Sequence, residues 1–213
     1  PAGQIKVDYQ LAGEKVEWVK IYNVAAYLAH QNIYIDVPEM GSLKVDIAYG
    51  GNFYIIVEPQ ANYPGLEEWS ASKILHFSPM IRDIVNETVQ CVHPEDSTVS
   101  GASHLLWTGF DHNKGVVTNA VFYGDKAIDR SPCGTGTSAR MAHLHAKGEL
   151  HIGEEFVHQS IIGSQFIGQI EKETKVGDKP AIMPSIKGWA KVTGLNSIFV
   201  DDDDPYVNGF QVK

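Results

Sequence analysis

The run Asp129-Arg130-Ser131-Pro132-Cys133-Gly134-Thr135-Gly136-Thr137-Ser138-Ala139-Arg140 decides how the rest of the chain reads, because it concentrates reactive, flexible and helix-starting residues. Residues 138–147 form a good helix-making segment, and Gly148 stops it. Cys133 is therefore expected at or just before a helix N-terminus. There the unpaired backbone N–H groups and the positive end of the macrodipole stabilise a thiolate and also bind an anion. The Gly134 to Ser138 run lacks the spacing of a nucleotide phosphate loop, and no Lys precedes the serine. What remains is a small-anion nest, suited to a carboxylate as well as to a phosphate. Asp129, four residues before Cys133, can face the same pocket and pair with an ammonium; its plainer role is that of a loop or N-cap acceptor.

Upstream of this run the pattern is β. Ile5, Val7 and Tyr9 alternate with polar residues, and residues 16–22, 33–37, 43–49 and 53–57 read as strands. Gly50-Gly51-Asn52 joins the last two, either as a plain tight turn or as a place where the backbone passes close to something. Residues 66–77 are predicted to be helical, and Ser78-Pro79 is predicted to start a second helix, with Ser as N-cap and Pro at the first helical position. Strands are then expected at residues 89–93, 103–108 and 117–123, and the last of these delivers the chain to the cysteine motif. After the motif, residues 156–162, 165–171, 181–183, 189–193 and 197–200 read as strands. Many short strands around a few helices make an α+β layout.

Composition narrows the function. The chain is 43% hydrophobic and 20% charged, which suits a globular domain. A net charge of −9 with scattered Lys and Arg argues against nucleic acid as a partner. No apolar run reaches the roughly 20 residues of a membrane span, and no signal peptide opens the chain, so no membrane partner and a cytoplasmic location are expected. The chain opens Pro1-Ala2-Gly3 without a Met, as though cut from something longer. Of the two cysteines, Cys91 lacks the glycine and helix context of Cys133 and is expected to be a buried, inert thiol. No metal site is expected: His143 and His145 point to different sides of the helix, and with His151 and His158 they are read as exposed. Asp201 to Asp204 lacks the glycine and distal glutamate of a calcium loop. His104 opens an apolar strand, where the simplest reading is a satisfied core histidine.

Residues 129–139, DRSPCGTGTSA, resemble the second cysteine motif of the proline racemase family. Residues 45–54, 119–124 and 160–164, with Asp203-Asp204-Pro205-Tyr206 and Gly209-Phe210, are similar to its 4-hydroxyproline 2-epimerase branch. The resemblance implies a diaminopimelate epimerase-like fold, in which strands wrap a central helix that starts near Cys133, and a cofactor-independent reaction. Two cysteines on opposite faces of the substrate α-carbon would exchange its proton, interconverting trans-4-hydroxy-L-proline and cis-4-hydroxy-D-proline. By the same resemblance Cys133 is one acid/base, the Gly134 and Thr135 N–H groups hold the substrate carboxylate, Asp129 holds its nitrogen and His104 contacts it. The family's first motif, Met-Cys-Gly-His, does not occur among the 213 residues. The expectation is thus a C-terminal portion, with residues 1–185 as the epimerase domain and residues 186–213 as strands that pack back on an N-terminal domain bearing the second cysteine. A homodimer is compatible with this picture, and the chain alone would be inactive. Proline racemase proper, a 3-hydroxyproline dehydratase or a non-catalytic fragment are the alternatives; retention of Cys133 speaks against the dehydratase.

Overall fold

In the computed structural model, which describes residues 4–209, the alternating stretches become β1 (Lys6–Ala12), β2 (Lys15–Tyr22), β3 (Tyr27–Val37), β4 (Gly41–Tyr49) and β5 (Phe53–Val57). There follow α1 (Ala71–Thr88), the short β6 (Val92–His93) and β7 (Asp96–Ser100), β8 (Ala102–Asp111), β9 (Val116–Tyr123) and β10 (Ala127–Ile128). The chain then enters α2 (Gly134–Ala146) and ends its regular structure with β11 (Glu155–Ser160), β12 (Gln165–Val176) and β13 (Lys179–Gly188). One mixed sheet runs in the order β1-β2-β13-β12-β11-β9-β8-β5-β4-β3, with β10 on β9 and β6–β7 as a separate hairpin. Its neighbours are antiparallel except β5 with β8 and β9 with β11. Just before β3, Ala26 exchanges backbone hydrogen bonds of 2.9 and 2.8 Å with Ile182 of β13, so the β3 edge of the sheet returns to the third strand from the opposite edge. The α+β class expected from the pattern is the class observed.

Alternation along β5 explains its continuous apolar run. Phe53, Ile55 and Val57 face one core, shared with Ile74, Ile81 and Val85 of α1, whereas Tyr54 and Ile56 face Ala139 of α2. A strand buried on both faces must be apolar at every position, and each fully buried Ile contributes about 1.5–3 kcal/mol. Tyr54 is thereby aimed at α2, which packs against β3, β4, β5, β12 and β13 and is buried from Gly136 to Leu144. Gly148 ends α2 as expected. At φ 73° it lets its own N–H reach His145 O (2.9 Å) and the Glu149 N–H reach Leu144 O (2.9 Å), a Schellman closure.

Two sequence expectations fail. Ser78-Pro79 starts no helix: α1 is continuous, its N-cap is Ser70, and Pro79 lies inside it. Ser78 instead accepts a hydrogen bond from Trp107 Nε1 at 2.9 Å, so burial of the apolar face of α1 against β8 outweighs the local capping signal. Residues 189–193 and 197–200 form no strands. Their apolar side chains are exposed, Val192 at 88% and Phe199 at 89%; a strand-like sequence without a partner edge has nothing to close its ladder. Phe210 lies outside the described residues. Among those described, no helix is long and apolar enough to cross a membrane.

Candidate active site

Cys133 is the N-cap of α2, an unusual residue there, and its sulphur accepts the Gly136 N–H at 3.4 Å, as a Ser or Asp oxygen would. Its backbone sits at φ 64°, a region that costs a non-glycine residue about 1–3 kcal/mol. The peptide before it is clamped. Pro132 O accepts Asn119 Nδ2 (2.7 Å) and Thr137 Oγ1 (3.2 Å), the Cys133 N–H donates to Ser131 Oγ (3.1 Å), and Cys133 O accepts the Thr137 N–H (2.8 Å). With the N–H groups of Gly136 and Thr137 thus taken, those of Gly134 and Thr135 have no acceptor among the described residues, which leaves two donors beside the sulphur.

Gly50 secures the helix start from the other side. A side chain at this position would stand 2.3 Å from Thr135 O and 2.5 Å from Ala139 N, both backbone atoms, so only glycine fits. The Gly50-Gly51-Asn52 triplet is therefore both a turn and a close approach. Asn23 ties the two together, donating to Gly50 O (3.0 Å) and to Ser138 Oγ (2.8 Å).

Tyr54, which the sequence did not single out, touches the sulphur: its hydroxyl is 3.2 Å from Cys133 Sγ and 2.6 Å from Thr135 Oγ1. The His104 ring lies 5.0 Å from the Tyr54 ring, centroid to centroid, which brings His104 to the site through the tyrosine. Burial and Arg82 push the His104 imidazole below its usual range, against the pull of the Asp129 charge. Asp129 follows β10, and its Oδ1 accepts the Ser131 N–H at 2.8 Å, so it fulfils the plainer role of loop acceptor while lying within electrostatic reach of His104. Cys133, Gly134, Thr135, Asp129 and His104 thus share one neighbourhood. A cleft of about 480 Å³ opens beside it, walled by Val19, Ile21, Phe166, Ile186 and Trp189 and reaching Gly134 and Thr135. Cys91 is unpaired and buried, and desolvation pushes its thiol up to about 11, the inert character expected.

The histidines depart from expectation. His143 and His158 are fully buried rather than exposed. Arg140 can only donate, so its NH1, 2.6 Å from His143 Nδ1, requires that nitrogen to accept; Nε2–H then donates to Asp46 Oδ2 at 2.6 Å. Asp46, Glu58 and His143 bring ligand atoms within 4.8 Å of one another, but Arg140 (2.9 Å) and Lys147 (2.7 Å) already pair with Glu58 and supply the positive charge. Only the fold brings these residues together, since β4, β5 and α2 are far apart in sequence.

His158 on β11 supports the cysteine loop. Thr137 gives its proton to Pro132 O, so His158 Nδ1–H donates to Thr137 Oγ1 at 2.9 Å. Burial, and then the Arg140 charge, push its pKa down to about 3. The unfolded chain takes up this proton near ~6.5 and the native state does not, so stability falls as pH drops below about 6.5, by up to ~1.4 kcal/mol per unit. Chemical denaturation between pH 5 and 7 should show this slope, and His158→Gln should flatten it even though it lowers stability at pH 7. An unchanged slope in the variant would remove His158 from the account.

The family described as proline racemase matches residues 1–211. The 4-hydroxyproline 2-epimerase of Shewanella loihica is 63% identical over all 213 residues, which cover 64% of its length. A probable proline racemase from Agrobacterium radiobacter K84, solved with carbonate, superposes with TM-score 0.87 at 34% identity over 99% of this chain and 62% of that one. A hydroxyproline epimerase from Agrobacterium vitis, solved with trans-4-hydroxy-L-proline, gives TM-score 0.87 at 30% identity over 99% of this chain and 60% of that one. The chain therefore spans just under two thirds of the length of the relatives it matches. With the family match extending over all but the last two of 213 residues, and with its cysteine motif folded into the cap of a buried helix, the chain belongs to the proline racemase family.

Proposed function

We propose that these residues supply one half of a cofactor-independent epimerase site that interconverts trans-4-hydroxy-L-proline and cis-4-hydroxy-D-proline. The observation that carries the reading is the Cys133 sulphur at the head of α2, next to the Gly134 and Thr135 N–H groups that lack a protein acceptor. A substrate carboxylate bound by those N–H groups would hold the α-carbon against the sulphur. The thiolate takes the α-proton, negative charge moves into the carboxylate as it becomes enolate-like, and the N–H groups and helix dipole stabilise that charge. A thiol on the opposite face returns a proton, so one proton leaves and one arrives per inversion.

In this reading Asp129 pairs with the substrate nitrogen and His104 borders the bound ring. The second thiol comes from residues outside this chain, because Cys91 is sealed in the core. The diaminopimelate epimerase-like arrangement, with α2 as the central helix, is supported by the burial of α2 and by its packing against strands from both ends of the sheet order. Residues 186–213 would pack against the remainder of the protein, which the exposed apolar side chains after Gly188 support. Two unpaired cysteines suit a cytoplasmic setting.

The test is exchange in heavy water with the complete protein. Deuterium should enter the α-position of 4-hydroxyproline together with epimerisation, and faster than it enters proline or 3-hydroxyproline. Preference for proline would move the reading to a racemase. Absence of α-exchange with all three would overturn it.

A further inference from the structure

The Cys133 sulphur has a neighbour to which neither the motif nor the mechanism gives a role. Tyr54, the second residue of β5, is fully buried, and its hydroxyl sits between Cys133 Sγ (3.2 Å) and Thr135 Oγ1 (2.6 Å), which are themselves 3.8 Å apart. The approach depends on Gly136: a Cβ there would stand 3.2 Å from the Tyr54 ring and 3.2 Å from the sulphur. We propose that Tyr54 is a catalytic residue of this site, whose hydroxyl donates a hydrogen bond to the Cys133 thiolate and withdraws it when the sulphur is protonated. The inference deepens the epimerase reading and rests on it for its catalytic consequence.

The proton count supports this role. A thiolate accepts only, so Tyr54 O–H turns to the sulphur and Thr135 O–H turns to the tyrosine oxygen. A thiol has a proton to give, so S–H points at the tyrosine oxygen and Tyr54 O–H turns to Thr135. Passing between the two states needs two hydroxyl rotations and no movement of heavy atoms. The donor is thus in place at the moment the charge on sulphur changes, which is the condition for preorganised stabilisation. Burial, reinforced by the neighbouring Cys133 charge, holds the Tyr54 phenol above its ordinary range, so it keeps its proton and acts as a donor, never as a competing base. The His104 ring packs against the phenol at 5.0 Å, tilted by 40°.

Tyr54→Phe keeps the ring and removes only the hydroxyl. In the complete protein, the rate of Cys133 alkylation by iodoacetamide, read as a function of pH by mass spectrometry of the Cys133 peptide, should move to higher pH by about one unit, that is a roughly ten-fold loss of thiolate at a fixed pH below the transition. The kcat for α-proton exchange should fall by about 10²-fold while KM changes little, as for loss of one donor to a developing anion. Gly136→Ala, which forces ring and sulphur apart without deleting the hydroxyl, should shift the alkylation profile in the same direction and serves if the first variant does not fold. Superimposable alkylation profiles in folded variants would overturn the role of Tyr54 even if wild type epimerises. A shifted profile in a protein that exchanges no α-deuterium would instead keep the tyrosine–sulphur coupling and reject the epimerase reading.

Discussion

Cys133→Ser in the complete protein is expected to abolish epimerisation of 4-hydroxyproline, with a loss of about 10²–10⁴-fold, the contribution of a positioned acid or base. The substitution is nearly isosteric and serine is a good N-cap, so α2 should keep its start and the variant its fold. Chemistry is what changes. A hydroxyl stays protonated under conditions in which a thiol at a helix N-terminus ionises, and so cannot take the α-proton. The two-face mechanism makes a sharper demand than simple inactivity. The epimer whose α-hydrogen faces the remaining thiol should still exchange deuterium with solvent without inverting, while the other epimer should not exchange. Loss of exchange for both epimers would point to a collapsed site rather than a missing base, and retained epimerisation would remove Cys133 from the chemistry. Cys91→Ser supplies the control: that thiol is buried with its ionisation pushed up to about 11, and activity should persist wherever the protein folds.

Which of these features were legible in the sequence follows from the range of the interactions behind them. The cap at Cys133 and the stop at Gly148 are local, and both appear where the residues place them. The alternating and apolar runs of β4, β5, β8 and β9 were readable because burial imposes their period. Pro79 misled because a local capping signal lost to packing of the α1 face, with Ser78 recruited by Trp107 from β8. His143 and His158 misled for the same reason in reverse: a polar residue reads as exposed until its partners are known. Those partners, Asp46 on β4 and Thr137 on α2, lie 97 and 21 residues away. Tyr54 passed as one more aromatic in an apolar strand. Only the β5 pleat, which turns it toward α2 while its neighbours turn toward α1, makes it a partner of the sulphur.

Arg140→Met is expected to cost about 3 kcal/mol at pH 8, the lower part of the range for breaking a buried ion pair, because Glu58 keeps Lys147 and is not fully buried. Arg140, His143 and Lys147 lie on one side of α2 and bind it to Asp46 of β4 and to Glu58 just beyond β5. Burial would raise Glu58, yet Arg140 and Lys147 bring it down to about 2; Asp46, likewise opposed by burial, is held low by His143 and by the Asn32 N–H. Both carboxylates therefore add stability that is present above ~4.5 and lost as pH falls toward their native values. His143 has the opposite bias: burial, together with Arg140, keeps it below its ordinary range despite Asp46. Removing the guanidinium takes away a charge that opposes protonation of the buried imidazole, while Asp46 and Glu58 still favour it, so native His143 should bind a proton more readily than in the wild type. The loss of stability in acid that comes from holding this imidazole neutral is then smaller in the variant. The deficit of the variant should accordingly be smaller at pH 5.5 than at pH 8, against the wild-type trend of falling stability in acid. Denaturant midpoints for both proteins at the two pH values measure it; a deficit of equal size at each would mean that His143 takes no proton when Arg140 is gone, and that the guanidinium acts on Glu58 alone.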